Sequence, residues 1–213
     1  MRSSGREGPW ELFMSDNGAE GASYEAYHLI GTTIMDHYGA RWAQAATAPS
    51  RLYKMFSTGS GFRVPLVFKP TAEVATRVKE SVVTDAFCTV MDILPTILEY
   101  AGRQHPASYT GRPVMPLRGK SWKSFLDRLE NVSRYSPIHD EDYVVEFEIK
   151  GSGAVRRGEW KITFVPAPKD PQRWELFNIK SDPGETNDLS EAQPELMVEI
   201  LQLWENYKTE AGL

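Results

Sequence analysis

Ser15-Asp16-Asn17-Gly18 directly follows the short apolar run Trp10 to Met14, so a carboxylate and an amide carbonyl stand side by side where a strand should end. Oxygen-only ligation of this kind suits a hard cation such as calcium, and the carboxyl edge of an α/β sheet is where ligand sites collect. The same four residues also read as a turn, because Asp, Asn and Gly tolerate positive φ. Taken alone they favour the turn. Other reactive residue types are thinly spread. The one cysteine, Cys88, lies in an apolar stretch and reads as a small buried side chain. A single cysteine excludes an internal disulfide framework and any multi-cysteine metal site. His28, His37, His105 and His139 are isolated along the chain.

Several elements must position these groups. A buried parallel strand reads as a continuous apolar run, yet only Leu12-Phe13-Met14 precedes the Asp-Asn pair without interruption. The sheet it joins is expected upstream, in a chain that begins partway through a domain. From Gly18 to Pro49, small and polar residues suggest a loop with one helical turn. Val64 to Phe68 reads as a short buried strand. Thr84 to Gly102 reads as mostly helix, with Asp92 as N-cap, Pro95 in the first turn and Gly102 just past the end. His105 to Tyr143 is a connecting region that includes the amphipathic segment Trp122 to Leu129.

After Tyr143 the period becomes that of β-structure. Tyr143 to Ile149 alternates, Lys150-Gly151-Ser152-Gly153 turns, Ala154 to Val165 returns with a kink at Gly158, and Trp174 to Ile179 makes a third strand. Ser190 with Gln193 resembles a capping box opening a last helix. Leu196, Ile200, Leu203, Trp204 and Tyr207 give that helix one apolar face.

Composition narrows the classes. The chain has 213 residues, 41% hydrophobic and 25% charged, as in ordinary globular proteins. A net charge of −5 argues against a nucleic-acid surface, which needs clustered cations. No apolar run approaches the ~20 residues that span a bilayer. The N-terminus lacks the apolar core of a secretory signal. A soluble chain is expected, cytoplasmic or, within a full-length parent, secreted or periplasmic. Asn131-Val132-Ser133 fits a glycosylation sequon but carries no weight alone.

Beyond the Asp-Asn pair come Trp42-Ala43-Gln44-Ala45-Ala46-Thr47-Ala48-Pro49, Arg51-Leu52-Tyr53-Lys54, and Gly61-Phe62-Arg63-Val64-Pro65. Val90-Met91-Asp92-Ile93-Leu94-Pro95-Thr96, Leu117-Arg118-Gly119-Lys120-Ser121 and Ala154 to Lys161 follow, then Trp174-Glu175-Leu176-Phe177 and Asp182-Pro183-Gly184-Glu185-Thr186. In this order and spacing the chain closely resembles the C-terminal part of arylsulfatases, members of the sulfatase family in the alkaline phosphatase-like superfamily. The resemblance covers nearly everything from Phe13 onward. It implies an α/β fold: residues 1–103 as the C-terminal portion of a sulfatase catalytic domain, and 104–213 as a small antiparallel sheet and helix subdomain.

Sulfatases hydrolyse sulfate monoesters with a formylglycine hydrate, made from the Cys or Ser of a Cys/Ser-x-Pro-x-Arg motif, whose hydroxyl attacks sulfur. Calcium acts as Lewis acid and template. The resemblance makes Asp16 and Asn17 two of the calcium ligands. It makes Lys54 the lysine that donates to a sulfate oxygen; a compact ammonium in an anion site strengthens as charge develops on the leaving group. Arg63 reads as structural, pairing near the metal loop. Family members commonly have Glu-Gly-Gly where this chain has Gly59-Ser60-Gly61, which puts that loop's geometry in question. Cys88-Thr89-Val90-Met91-Asp92 lacks the proline and arginine of the modification motif, and no such motif exists in these residues. The family's catalytic histidines lie upstream. His28 and His37 read as exposed loop residues.

The expected function is therefore a calcium-dependent sulfuric ester hydrolase acting on a small sulfate ester, completed by an upstream sulfatase segment. The alternative is a truncated, non-catalytic remnant. A phosphatase or phosphonate hydrolase of the same superfamily is weaker, because those use two metals with several Asp and His ligands.

Overall fold

A computed structural model describes residues 10–21, 39–78, 81–131, 137–169 and 171–213. His28 and His37 lie outside the described residues. In chain order the α and β elements are β1 (Glu11–Met14), α1 (Gly39–Ala46), α2 (Gly59–Phe62), β2 (Leu66–Lys69), α3 (Ala72–Ala75), α4 (Ile93–Tyr100), β3 (Ser108–Tyr109) and β4 (Arg112–Pro113). There follow α5 (Lys123–Leu126), β5 (Val144–Ile149), β6 (Ser152–Arg157), β7 (Trp160–Phe164), β8 (Trp174–Asn178) and α6 (Pro194–Ala211). The chain divides into two compact units, one of residues 1–13 with 67–140 and the other of residues 14–66 with 141–213.

In the first unit β1 pairs with β2, and Trp10 packs its ring against Phe68 and Tyr100. The strand expected to be buried at 64–68 is shifted to Leu66–Lys69 and is only half covered, with Val67 60% exposed. The expected long helix is shorter. Residues 84–89 are irregular, a 3-10 turn covers Val90–Asp92, and α4 follows.

Asp92 does not cap α4 with its side chain, as the sequence suggested. It is fully buried, and its carboxylate accepts the Thr89 N–H at 2.6 Å, the Lys120 N–H at 2.8 Å and His139 Nε2 at 2.8 Å. The Thr89 bond is part of a capping box on the 3-10 turn, and the Lys120 and His139 bonds tie that turn to two distant segments. The far end of α4 behaves as read: Gly102 takes φ +61°, its N–H bonds Glu99 O, and Arg103 N–H bonds Leu98 O. This is the paired bonding of a Schellman end.

The second unit is built on the antiparallel sheet β5-β6-β7-β8. Lys150 and Gly151, at φ +49° and +79°, make the first hairpin turn. Gly158 is not a kink within one strand. At φ +57° it reverses the chain, splitting the expected strand into β6 and β7 and giving four strands where three were read. Helix α6 lies on this sheet: Ile200 and Trp204 bury against Val155, Ile162 and Leu176, with Leu196, Leu203 and Tyr207 packed around them. Each of these buried aliphatic side chains contributes about 1.5–3 kcal/mol by leaving water. The helix begins at Pro194, not at a Ser190 capping box. Proline restricts the residue before it, and Gln193 sits outside helical space at φ −132°, ψ 59°. A further difference is α1, two full turns where one was expected.

Candidate active-site segment

Asp16 and Asn17 come one residue after β1, past Ser15; Asp16 is exposed and Asn17 half-buried. Ser15 Oγ donates to Asn17 O at 2.9 Å, closing a small turn around the pair. The next residue is pressed onto α2: Gly18 N–H donates to Gly61 O at 3.2 Å, and a Cβ at position 18 would lie 1.6 Å from Ser60 O. Gly61 is constrained likewise, since a Cβ there would lie 1.9 Å from Phe56 O. The glycines at both positions thus permit two backbones to touch. With Gly59-Ser60-Gly61 the chain still forms a helical turn, and the Gly59 N–H donates to Glu185 Oε1 at 3.0 Å.

Lys54 stands in the turn before α2. Its N–H donates to Ala19 O at 3.0 Å, which sets its backbone beside the chain two residues past Asn17. Its side chain is 35% exposed, with Nζ 3.5 Å from Glu20 Oε2. Leu52 and Met55, on either side of Tyr53-Lys54, have φ of +61° and +83°. Left-handed backbone costs an L-residue roughly 1–2 kcal/mol each, so the turn is strained and must be held.

The second unit's sheet holds it. Ser57 Oγ donates to Gly153 O and meets Thr163 Oγ1, both at 2.7 Å, while the Ser57 N–H donates to Ser152 Oγ at 2.8 Å. Thr58 Oγ1 donates to Arg51 O at 2.7 Å, closing the turn on itself. Arg51 pairs with Glu175 of β8, and Lys161 of β7 pairs with Glu185. Burial pulls the Lys161 ammonium below its ordinary range, although Glu185 acts in the opposite sense. Its Nζ also lies 4.5 Å from the Phe62 ring centroid. Sequence reading missed Lys161, Glu185 and Arg51: each looks like a solvated charge, until the fold buries Lys161 and Glu185 and leaves Arg51 a quarter exposed against them.

Arg63 makes no side-chain hydrogen bond or ion pair among the described residues. It is exposed, and only its N–H is used, to Gly59 O at 2.9 Å. The expected pairing near the metal loop is therefore absent there. Cys88 is half-buried. His105 is half-buried, and His139 is spent on Asp92. No cluster of three or more His, Cys, Asp or Glu side chains gathers at a metal-binding distance among the described residues. Asp16 and Asn17 have the right donor chemistry for a hard cation, as part of a ligand set. No helix among the described residues is long and apolar enough to cross a membrane.

Residues 51–209 match the family model described as N-sulphoglucosamine sulphohydrolase, C-terminal. An uncharacterized sulfatase of Schizosaccharomyces pombe is 36% identical over 95% of this chain and 38% of its own length. An N-acetylglucosamine-6-O-sulfatase of Bacteroides thetaiotaomicron is 26% identical over 68% of this chain and 25% of its length. The fold recurs in the crystal structure of Ps i-CgsB in complex with k-i-k-neocarrahexaose, with a TM-score of 0.64, 23% identity, and cover of 93% of this chain and 36% of that one. The chain thus spans between a quarter and two fifths of the relatives it matches. Those matches, on a four-stranded sheet with its helix and a glycine-paired loop beside Lys54, show that the chain belongs to the sulfatase family and corresponds to its C-terminal region.

Proposed function

We propose that this chain supplies two calcium ligands and the sulfate-binding lysine of a sulfuric ester hydrolase that cleaves sulfate monoesters. One observation carries the reading. The Asp16-Asn17 loop and the Lys54 turn, more than thirty residues apart in sequence, are tied by two backbone bonds, Gly18 to Gly61 and Lys54 to Ala19.

Asp16 and Asn17 would hold calcium through the carboxylate and the amide oxygen, with further oxygens from elsewhere. Calcium, when bound, lowers the charge of the site and orients the sulfate. Lys54 places a fixed ammonium where charge grows on the sulfate and leaving oxygens, an interaction stronger in the transition state than in the ground state. Glu20 keeps that ammonium paired across 3.5 Å, and an arriving sulfate would exchange one anionic partner for another. These 213 residues contain no Cys/Ser-x-Pro-x-Arg motif, so the nucleophile is assigned to a segment upstream in a complete polypeptide. That same observation favours the second reading, a non-catalytic remnant, wherever no such segment is joined. A family model named for N-sulphoglucosamine, a sulfamate, and a relative named N-acetylglucosamine-6-O-sulfatase favour a sulfated amino sugar as the substrate.

Kinetics of the complete polypeptide, this chain with its upstream segment, test the proposal with 4-nitrophenyl sulfate and with glucosamine 6-sulfate. Lys54→Ala should lower kcat on both by about 100-fold, the scale of losing one preorganised charge donor. Asp16→Ala should remove activation by calcium. Wild-type kcat in Lys54→Ala would refute the assignment.

A further inference from the structure

Four charged side chains of the second unit gather at the two ends of the Lys54 turn. Lys161 and Glu185 are both 2% exposed at the side chain and bonded to each other. Glu185 Oε1 also takes the Gly59 N–H, on the far side of the turn. Arg51, on the near side, bonds Glu175, and its Nε faces the second Glu185 oxygen at 3.7 Å. Glu185 itself has φ +56°. The polar linkage therefore runs from Arg51 through Glu185 to Gly59, spanning Leu52 to Thr58.

A buried ion pair adds little net stability, because desolvation offsets the attraction. What it does enforce is geometry, since both charges must stay where their partners are. The geometry here is the turn with left-handed Leu52 and Met55, a conformation that persists only where the surroundings over-determine it. Between those two residues stands Lys54.

We infer that the Lys161–Glu185 pair, extended by Arg51 and Glu175, is a positioning device that fixes the strained turn so that the Lys54 ammonium meets the substrate's sulfate in one place. The inference rests on Lys54 being the sulfate-binding lysine. Lys161 and Glu185 act only through it and are positioning residues.

A double-mutant cycle in the complete polypeptide tests this, with 4-nitrophenyl sulfate as substrate. Lys161→Met with Glu185→Gln removes both charges together and leaves neither buried alone. It should lower kcat roughly 10- to 100-fold, the scale of a displacement near 1 Å, with KM little changed. In a Lys54→Ala background the same pair of substitutions should lower kcat no further. A purely structural role would lower kcat in both backgrounds alike, and that result overturns the inference, as does an unchanged kcat in the first. Wild-type kcat in Lys54→Ala alone overturns the reading of Lys54 itself, and the inference with it. Should the buried double variant not fold, Arg51→Gln loosens the same device from its half-exposed end. Its kcat loss must likewise vanish in the Lys54→Ala background, and a loss that persists there overturns the inference.

Discussion

Gly18→Ala should pull the Asp16-Asn17 loop off α2. A Cβ at this position would lie 1.6 Å from Ser60 O and 2.8 Å from Ser60 C, both backbone atoms. Neither can rotate away as a flexible side chain would, so the loop itself has to retreat by more than an ångström. Overpacking of this kind costs about 1–3 kcal/mol, and losing the Gly18 to Gly61 hydrogen bond adds about 1 kcal/mol. The local cost is thus about 2–4 kcal/mol, which at a factor of ten per 1.4 kcal/mol corresponds to about 30- to 1,000-fold in the opening equilibrium. Amide hydrogen exchange followed by NMR reads this directly. The amides at positions 18 and 54, donors to Gly61 O and Ala19 O, should lose protection by that factor. Those of β6 and β7 should not, since the sheet core is packed by Val155, Ile162 and Leu176. Unchanged protection at both loop amides in a folded variant would refute the claim that glycine is needed there for backbone contact.

Ile200→Ala, in the fully buried face of α6, should destabilise the chain by about 2–5 kcal/mol in urea unfolding. Asp182 and Asp188 should make stability fall in acid. Burial pushes both carboxyls up, but backbone N–H groups (Asn187 and Thr186 at the first, Ser190 and Leu176 at the second) hold both below their ordinary 3.8. A depressed carboxyl stabilises the fold above its unfolded value and loses that contribution as pH falls through the folded one. The urea midpoint should therefore drop below pH 3.8, less steeply in Asp182→Asn and Asp188→Asn. The 213-residue chain expressed by itself should not turn over aryl sulfates, and calorimetry should find calcium only at millimolar concentrations, because two side-chain ligands carrying one charge make a weak site.

The sheet and helix of the second unit were largely legible in the sequence. Period-two runs from Tyr143 and the apolar stripe of α6 need only local geometry to read. Its strand count was not, because a strand kink and a hairpin reversal at Gly158 leave the same trace of one glycine in an apolar run, and only the pairing of Arg157 with Trp160 distinguishes them. Asp92 misled for a related reason. Its position before Ile93 fits a cap, but its donors, Lys120 and His139, come from segments far along the chain. In the candidate site, Asp16, Asn17 and Lys54 were proposed by resemblance. The charges that hold Lys54's turn were not, since burial of Lys161 and Glu185 depends on sheet register and loop docking, neither of which periodicity reports.

The most direct measurement is a crystal structure of the complete polypeptide grown with calcium and sulfate, with the metal located by anomalous scattering. Asp16 and Asn17 oxygens should coordinate the ion at roughly 2.3–2.6 Å, with the Lys54 ammonium within hydrogen-bond reach, ~3 Å, of a sulfate oxygen. An ion bound elsewhere, or a Lys54 ammonium ~10 Å or more from the sulfate in an ordered turn, would contradict a shared site.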